Sequence, residues 1–325
     1  DIGFAESYRD HQIETSDIHA LLTFGLRNSQ ILDSYIYSSM FGKLLHKFIY
    51  FLNTNTISQS KKNIHKHYDL GNDFYSLWLD ESMTYSAGIF NSKEDDLLHA
   101  QKNKYNRIIE NLNNSGTLLE IGCGWGGFIE EALNQKDFQA KGITISSEQL
   151  NYSRRKLGGK ANIALEDYRI QDGKFDNIVS IEMFEAVGKK YWSVYFRKIK
   201  KLLAENGKAV IQTITINDDI SEQYQRGTDM IRSYIFPGGM LPSESQFIYY
   251  ANKNGLKVTD LYRFGKDYSK TLDIWANNFN SNILEIKKLQ FDNKFIKLWN
   301  FYLASCSSCF LLERTNVIQI QLEHA

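Results

Sequence analysis

The chain has 325 residues, with 38 Lys plus Arg against 38 Asp plus Glu, 42% hydrophobic residues, 21 Gly and 2 Pro. This length suits one large α/β domain with an appendage, and the composition excludes a disordered or collagen-like chain. Zero net charge argues against a dedicated nucleic-acid binder, and the three cysteines are too few for a secreted disulfide framework. No run of 18 apolar residues offers a spanning helix, and no charged-then-apolar leader opens the sequence, so a cytoplasmic protein is expected, with membrane-surface association left open.

Residues 1–52 mix short apolar runs, Ile18–Leu22 and Leu44–Leu52, with polar breaks, and are expected to form a small helical N-terminal accessory domain. The Asn-, Ser- and Thr-rich stretch 53–63 has no hydrophobic period and is the expected linker. Residues 64–325 then form the main domain. Strand-like runs at Thr117–Ile121, Ala140–Ile145, Asn162–Leu165, Asn177–Ile181 and Lys208–Ile216 alternate with helices opening at Gly126 and Ser147 and one closing at Leu203. That alternation predicts βαβ units on a parallel sheet. In the last of these helices, Arg197–Leu203 pattern as a face packed on the sheet with charges outward. Both prolines, Pro237 and Pro242, fall in one Gly-containing loop, which predicts a shaped lid over about 217–275.

Leu118-Leu119-Glu120-Ile121 runs directly into Gly122-Cys123-Gly124-Trp125-Gly126-Gly127, an apolar strand feeding a glycine-rich turn that opens a helix. Glycine allows tight turning and close backbone approach, and the helix start presents free N–H groups to a ligand. The compressed spacing, with Thr144 and Ser146 rather than an acid at the next strand end, favours S-adenosylmethionine over a dinucleotide. Cys306 and Cys309 have Cys-x-x-Cys spacing without a second pair or a nearby His, so a helical pair facing the core is expected and no metal site.

Taken in order, His67–Tyr75, Met83-Thr84-Tyr85-Ser86, Glu120–Gly127, Gly142–Gln149 and Tyr234–Gly239 make the chain resemble the cyclopropane-fatty-acyl-phospholipid synthase family. The resemblance implies a class I, Rossmann-like methyltransferase fold with a mixed, mostly parallel seven-stranded sheet. It also implies methyl transfer from S-adenosylmethionine to the double bond of an unsaturated, phospholipid-bound acyl chain. By this resemblance Tyr68, Tyr85, Ser86, Gly122, Gly124, Gly126, Thr144, Gln149 and Asp167 contact the cofactor, with Asp167 near the adenine. A peripheral place on the inner membrane and a homodimer are further expectations.

In cyclopropane-forming members of that family a bicarbonate ion acts as base, held by Cys, Glu, His and Tyr side chains and one Ile backbone group. Here Glu185, Tyr302 and Ile214 are retained, while Ala87 stands for the Cys and Gln212 for the His. Gln cannot exchange a proton near neutral pH as His can. Two arrangements follow: an altered anion site using Gln212, Tyr302 and Glu185, or direct deprotonation by another base. Glu182 is expected to face the cofactor, and Tyr234, Phe236, Tyr302 and Phe184 are candidates to stabilise a carbocation by their ring faces. The product is then a cyclopropane or a methylene or methyl-branched chain. A small-molecule N-methyltransferase and a noncatalytic lipid-binding homologue are the competing readings.

Overall fold

The computed structural model describes residues 2–29 and 70–325. The expected helix at 44–52, the linker 53–63 and Tyr68 lie outside the described residues.

The sheet carries seven strands in the order β3-β2-β1-β4-β5-β7-β6. They are β1 (Ser115–Ile121), β2 (Asp137–Thr144), β3 (Asn162–Leu165), β4 (Phe175–Ile181), β5 (Leu203–Ile216), β6 (Leu256–Arg263) and β7 (Thr315–His324). The first five pair in parallel, whereas β7 runs antiparallel to both β5 and β6. This is the class I methyltransferase sheet expected above. Its strand order reverses between β1 and β4, and ligands of open α/β sheets bind outside the carboxyl ends of the strands at such a switch point.

Helices cover the sheet because each presents one apolar stripe. On α7 (Trp192–Leu202) Trp192, Tyr195, Phe196, Ile199 and Leu202 are buried, while Lys200 and Lys201 close the last turn. Together with Phe184 and Phe247 they form one core. A second core is aromatic: Phe74, Tyr75, Trp78, Trp275, Phe279 and Trp299 pack where α3 (Asn72–Ser76), α10 (Gly265–Ser281) and α12 (Asn293–Leu311) meet. Edge-to-face contacts dominate, with the Trp78 ring 5.5 Å from Trp275 and 5.8 Å from Trp299, the geometry the ring quadrupole favours.

In the N-terminal region, α1 (Ile2–Arg9) and α2 (Ile18–Arg27) pack on α12. The rings of Phe4 and Tyr8 lie 5.9 and 6.1 Å from Phe301, and Thr23 Oγ1 bonds Ser308 Oγ at 2.9 Å. The described part of the expected accessory domain is therefore packed into the main core. The stretch 217–275, expected as a lid, divides. Helix α8 (Asp218–Arg226), the π-helical turn Ile231–Ile235 and the loop through Leu241 border a cavity. Beyond them α9 (Glu244–Lys253), β6 and the start of α10 belong to the body of the fold, because β6 completes the sheet edge against β7.

Trp78 is fully buried among five aromatic partners, so Trp78→Ala removes a large side chain where the surroundings cannot collapse. A loss of about 3–5 kcal/mol is expected, read from the midpoint of urea unfolding.

Candidate active site

At the switch point the chain turns sharply after β1. Gly122 has φ +81°, and a Cβ there would lie 2.9 Å from Met183 Cγ, so only glycine fits. The N–H groups of Gly122 and Cys123 both donate to the Ile143 carbonyl, at 2.9 and 3.0 Å, pinning the turn to β2. Trp125 Nε1 donates to Asn72 Oδ1 at 2.7 Å and closes the outer side. Gly124 and Gly126 complete the turn with φ of +52° and +83° before α5 (Gly127–Gln135) begins.

The other residues expected to hold a cofactor gather around this turn. Thr144 Oγ1 donates to Gln149 Oε1 at 2.8 Å, across the start of α6 (Ser147–Leu157). Asp167 lies on the same wall, with its carboxylate bonded to Arg169 at 2.7 and 2.8 Å. Ser86 Oγ accepts from Lys104 Nζ at 2.6 Å, and Tyr85 presents its ring to the cavity. Glu120, at the end of β1, has one buried oxygen with no partner among the described residues. Burial pushes its carboxyl up to about 8. A close-approach turn beside an acceptor that lacks a donor fits a ligand bearing hydroxyl or ammonium groups.

Two further carboxylates stand after β4. Glu182 is held in the left-handed region at φ +48°, which turns the chain so that Glu182 and Glu185 both reach the cavity. Glu182 is fully supplied with donors: Oε1 accepts from the Ala87 N–H at 2.9 Å and Gln212 Nε2 at 2.8 Å, and Oε2 from the Tyr268 hydroxyl at 2.9 Å. Glu185 is supplied on one side only. Its Oε1 accepts from the Ile214 N–H at 2.5 Å and Thr213 Oγ1 at 3.1 Å, while its buried Oε2 has no partner among the described residues. Burial, reinforced by the negative charge of Glu182, pushes the Glu185 carboxyl up to about 8. The Met240 N–H donates to the Glu185 carbonyl at 2.8 Å, so the proline-bounded loop braces this residue.

The anion site expected from Gln212, Tyr302 and Glu185 is not assembled. Gln212 and Ala87 are fully buried and spend their polar groups on Glu182, and Gln212 Oε1 also accepts from Gln319 Nε2 at 3.0 Å. Tyr302 pairs its hydroxyl with that of Tyr85 at 2.7 Å. Of the four aromatic candidates, Phe236 and Tyr302 line the cavity, with rings 6.0 Å apart. Phe184 points the other way, into the core against Trp192 and Tyr195, because the 3-10 turn Phe184–Ala186 sends it opposite to Glu185. Tyr234 is 40% exposed and bonds Glu6.

Two residues that matter here, Lys104 and Tyr268, escaped the sequence reading. Lys104 lies on α4 (Leu97–Glu110), fully buried, where desolvation pulls its ammonium down against the attraction of Glu182, Asp80 and Glu120. Tyr268 is one aromatic among many and carries no motif. Cys306 and Cys309, expected to face the core, both border the cavity, with Cys306 also packed against the aromatic core and burial pushing both thiols up. The cavity measures about 2030 Å³ and runs from the glycine turn past Glu185 to the wall formed by α1, α2, α8 and α12.

Residues 55–320 match the family described as mycolic acid cyclopropane synthetase. The chain belongs to this family. It is 35% identical over 264 residues to a probable fatty acid methyltransferase of Pseudomonas putida, covering 78% of this chain and 67% of that protein. It is 35% identical over 260 residues to the cyclopropane-fatty-acyl-phospholipid synthase of Escherichia coli K12, covering 78% and 66%. The chain spans 62% of the tuberculostearic acid methyltransferase UfaA1 of Mycobacterium tuberculosis, at 33% identity; fatty-acid relatives of this kind are thus about half as long again as the region shared. Among solved structures, the mycolic acid cyclopropane synthase CmaA1 complexed with SAH and CTAB superposes with a TM-score of 0.77 at 30% identity, over 81% of this chain and 97% of that one. Coclaurine N-methyltransferase shares the fold, with a TM-score of 0.75 at 17% identity.

Because Glu185 keeps its proton in the folded protein up to about pH 8, and loses it near 4.5 when exposed, stability falls as pH rises between those values. Glu185→Gln removes this titration and leaves the acceptor for Ile214 in place. The melting temperature of the variant is expected to drop less than that of the wild type between pH 5 and pH 8 in scanning calorimetry, with Glu120 and Glu182, both raised by burial, contributing to the slope that remains.

Proposed function

We propose that the protein is an S-adenosylmethionine-dependent C-methyltransferase acting on the double bond of an unsaturated fatty acyl chain. The observation that carries this reading is the unpartnered Glu185 oxygen on the wall of a large, mainly apolar cavity continuous with the glycine turn. Family membership and the fatty-acid relatives support it.

The residues present fit the cofactor. Gly122, Gly124 and Gly126 allow close approach, Glu120 supplies an acceptor that lacks a donor, and Thr144, Gln149 and Asp167 border the same end of the cavity. When bound, S-adenosylmethionine supplies a sulfonium-bound methyl group as the electrophile. The chain's own work is to hold the poorly nucleophilic alkene in a dry channel and to manage the charge that develops on its second carbon. The faces of Phe236 and Tyr302 stabilise that cation, by about 0.5–2 kcal/mol each. The Glu185 oxygen accepts the proton once the carboxyl has given up its own, which a carboxyl raised to about 8 does in a fraction of molecules near neutral pH. Loss of that proton from the added methyl gives a cyclopropane by ring closure, or a methylene branch where a hydride has first shifted from the methylated carbon to its cationic neighbour.

The residues do not fit bicarbonate. Ala87 offers no side-chain donor, Gln212 is locked between Glu182 and Gln319, and Tyr302 is engaged by Tyr85. The reading therefore assigns the base to Glu185 itself.

Incubation with methyl-labelled S-adenosylmethionine and monounsaturated phospholipid liposomes, followed by mass spectrometry of the released fatty acids, tests this. Labelled C-methylated acyl chains formed equally with and without bicarbonate are expected. Absence of label from lipid, with the cofactor bound, contradicts the acceptor. Product formed only with bicarbonate contradicts the base.

A further inference from the structure

Four arginines line the cavity. Arg169 is paired with Asp167, Arg226 with Glu222 and Arg232 with Asp229. Arg314 differs: among the described residues its guanidinium bonds no carboxylate, and Nη1 donates to Ser29 Oγ at 3.2 Å. Glu313, its chain neighbour, is bonded to Lys266 at 2.9 Å, and Asp229 to the side chain and backbone of Arg232. Its backbone is fixed at both ends, since the Arg314 N–H donates to the Cys309 carbonyl and the Asn217 N–H donates to the Arg314 carbonyl, each at 2.9 Å. A half-buried cation held on a cavity wall with no counter-charge among the described residues is a receptor for an anion, and a guanidinium binds carboxylate and phosphate oxygens with particular geometric fit.

The sheet fixes where this cation stands relative to Glu185. The Glu185 carboxylate bonds the Ile214 N–H, and Asn217, three residues further along the same chain, bonds the Arg314 carbonyl. At roughly 3.3 Å per residue the separation along the strand direction is about 10 Å. Ile214, Ile216, Cys306 and Phe310 on this wall are apolar or weakly polar, and Thr315, paired with Ile216 across β5 and β7, adds a buried hydroxyl without a partner among the described residues. A long acyl chain with its head at Arg314 therefore presents mid-chain carbons to Glu185.

We propose that Arg314, positioned by Ser29, is the anchor for the anionic head of the acyl substrate, a carboxylate or phosphate group attached to the chain. The assignment rests on the lipid reading above and deepens it: it makes the substrate an anionic acyl lipid and sets the reacting double bond near mid-chain.

Tryptophan quenching tests it, because Trp125 lies on the cavity wall and bromine atoms on a bound chain quench nearby indoles. The probes are 9,10-dibromostearate, its methyl ester, and the lysophosphatidate carrying the same chain. In the wild type, at least one anionic probe is expected to bind about tenfold or more tightly than the ester. Arg314→Gln should bring that probe to the level of the ester without weakening the ester, and Arg314→Lys should keep most of the preference. Whichever anion shows the larger dependence on Arg314 names the head group. Equal binding of anions and ester in the wild type, or a preference that survives in Arg314→Gln, overturns the anchor while leaving the lipid reading intact. Failure of all three probes to quench overturns both.

Discussion

Three glutamates, Glu120, Glu182 and Glu185, are withdrawn from water at the carboxyl ends of β1 and β4, and the buried Lys104 lies near enough to Glu120 and Glu182 to offset part of their charge. Ionising all three there would be costly, because a carboxylate in a low-dielectric interior needs donors or a counter-ion to stay charged. The structure resolves this unequally. Glu182 receives donors on both oxygens, whereas Glu120 and Glu185 each keep one oxygen without a partner among the described residues. That inequality separates a carboxylate saturated by the protein's own donors from two that keep an acceptor on the cavity wall.

The rest of the architecture serves this arrangement. Strand β7 brings Gln319 beside Gln212, and α10 brings Tyr268 to Glu182, so the antiparallel end of the sheet and its packed helix supply what the parallel half cannot. The loop with both prolines braces Glu185 through Met240, and α1 and α2 shut the far end of the cavity against α12. By the resemblance, Ala87 and Gln212 stand where cyclopropane-forming members of the family carry Cys and His. Both support Glu182, and of the two glutamates after β4 it is Glu185 that keeps an oxygen without a partner among the described residues.

The parallel strands and the glycine turn were legible in the sequence because each is a local pattern: an apolar run of fixed length, then glycines at the spacing a tight turn requires. Strands β6 and β7 did not emerge from the alternation, since they follow no βαβ crossover. Glu185 was legible by resemblance, but the saturation of Glu182 was not, because its donors come from positions 87, 212 and 268 and only the fold brings them together. Phe184 and Phe236 show the same limit. Both are aromatic residues in motifs, and a 3-10 turn sends one to the core while a loop leaves the other on the cavity wall. Cys306 and Cys309 share a helix face as their spacing required, yet whether that face met the core or the cavity depended on where α12 was placed.

The central claim is that Glu185 accepts the proton itself. Comparing Glu185→Gln with the wild type, by calorimetric titration of S-adenosylhomocysteine and by turnover of labelled methyl groups into acyl chains, tests it most directly. The account predicts cofactor affinity within about twofold and turnover reduced by roughly a hundredfold or more, as expected when a general base is removed. A variant that binds equally well and turns over at the wild-type rate would contradict it.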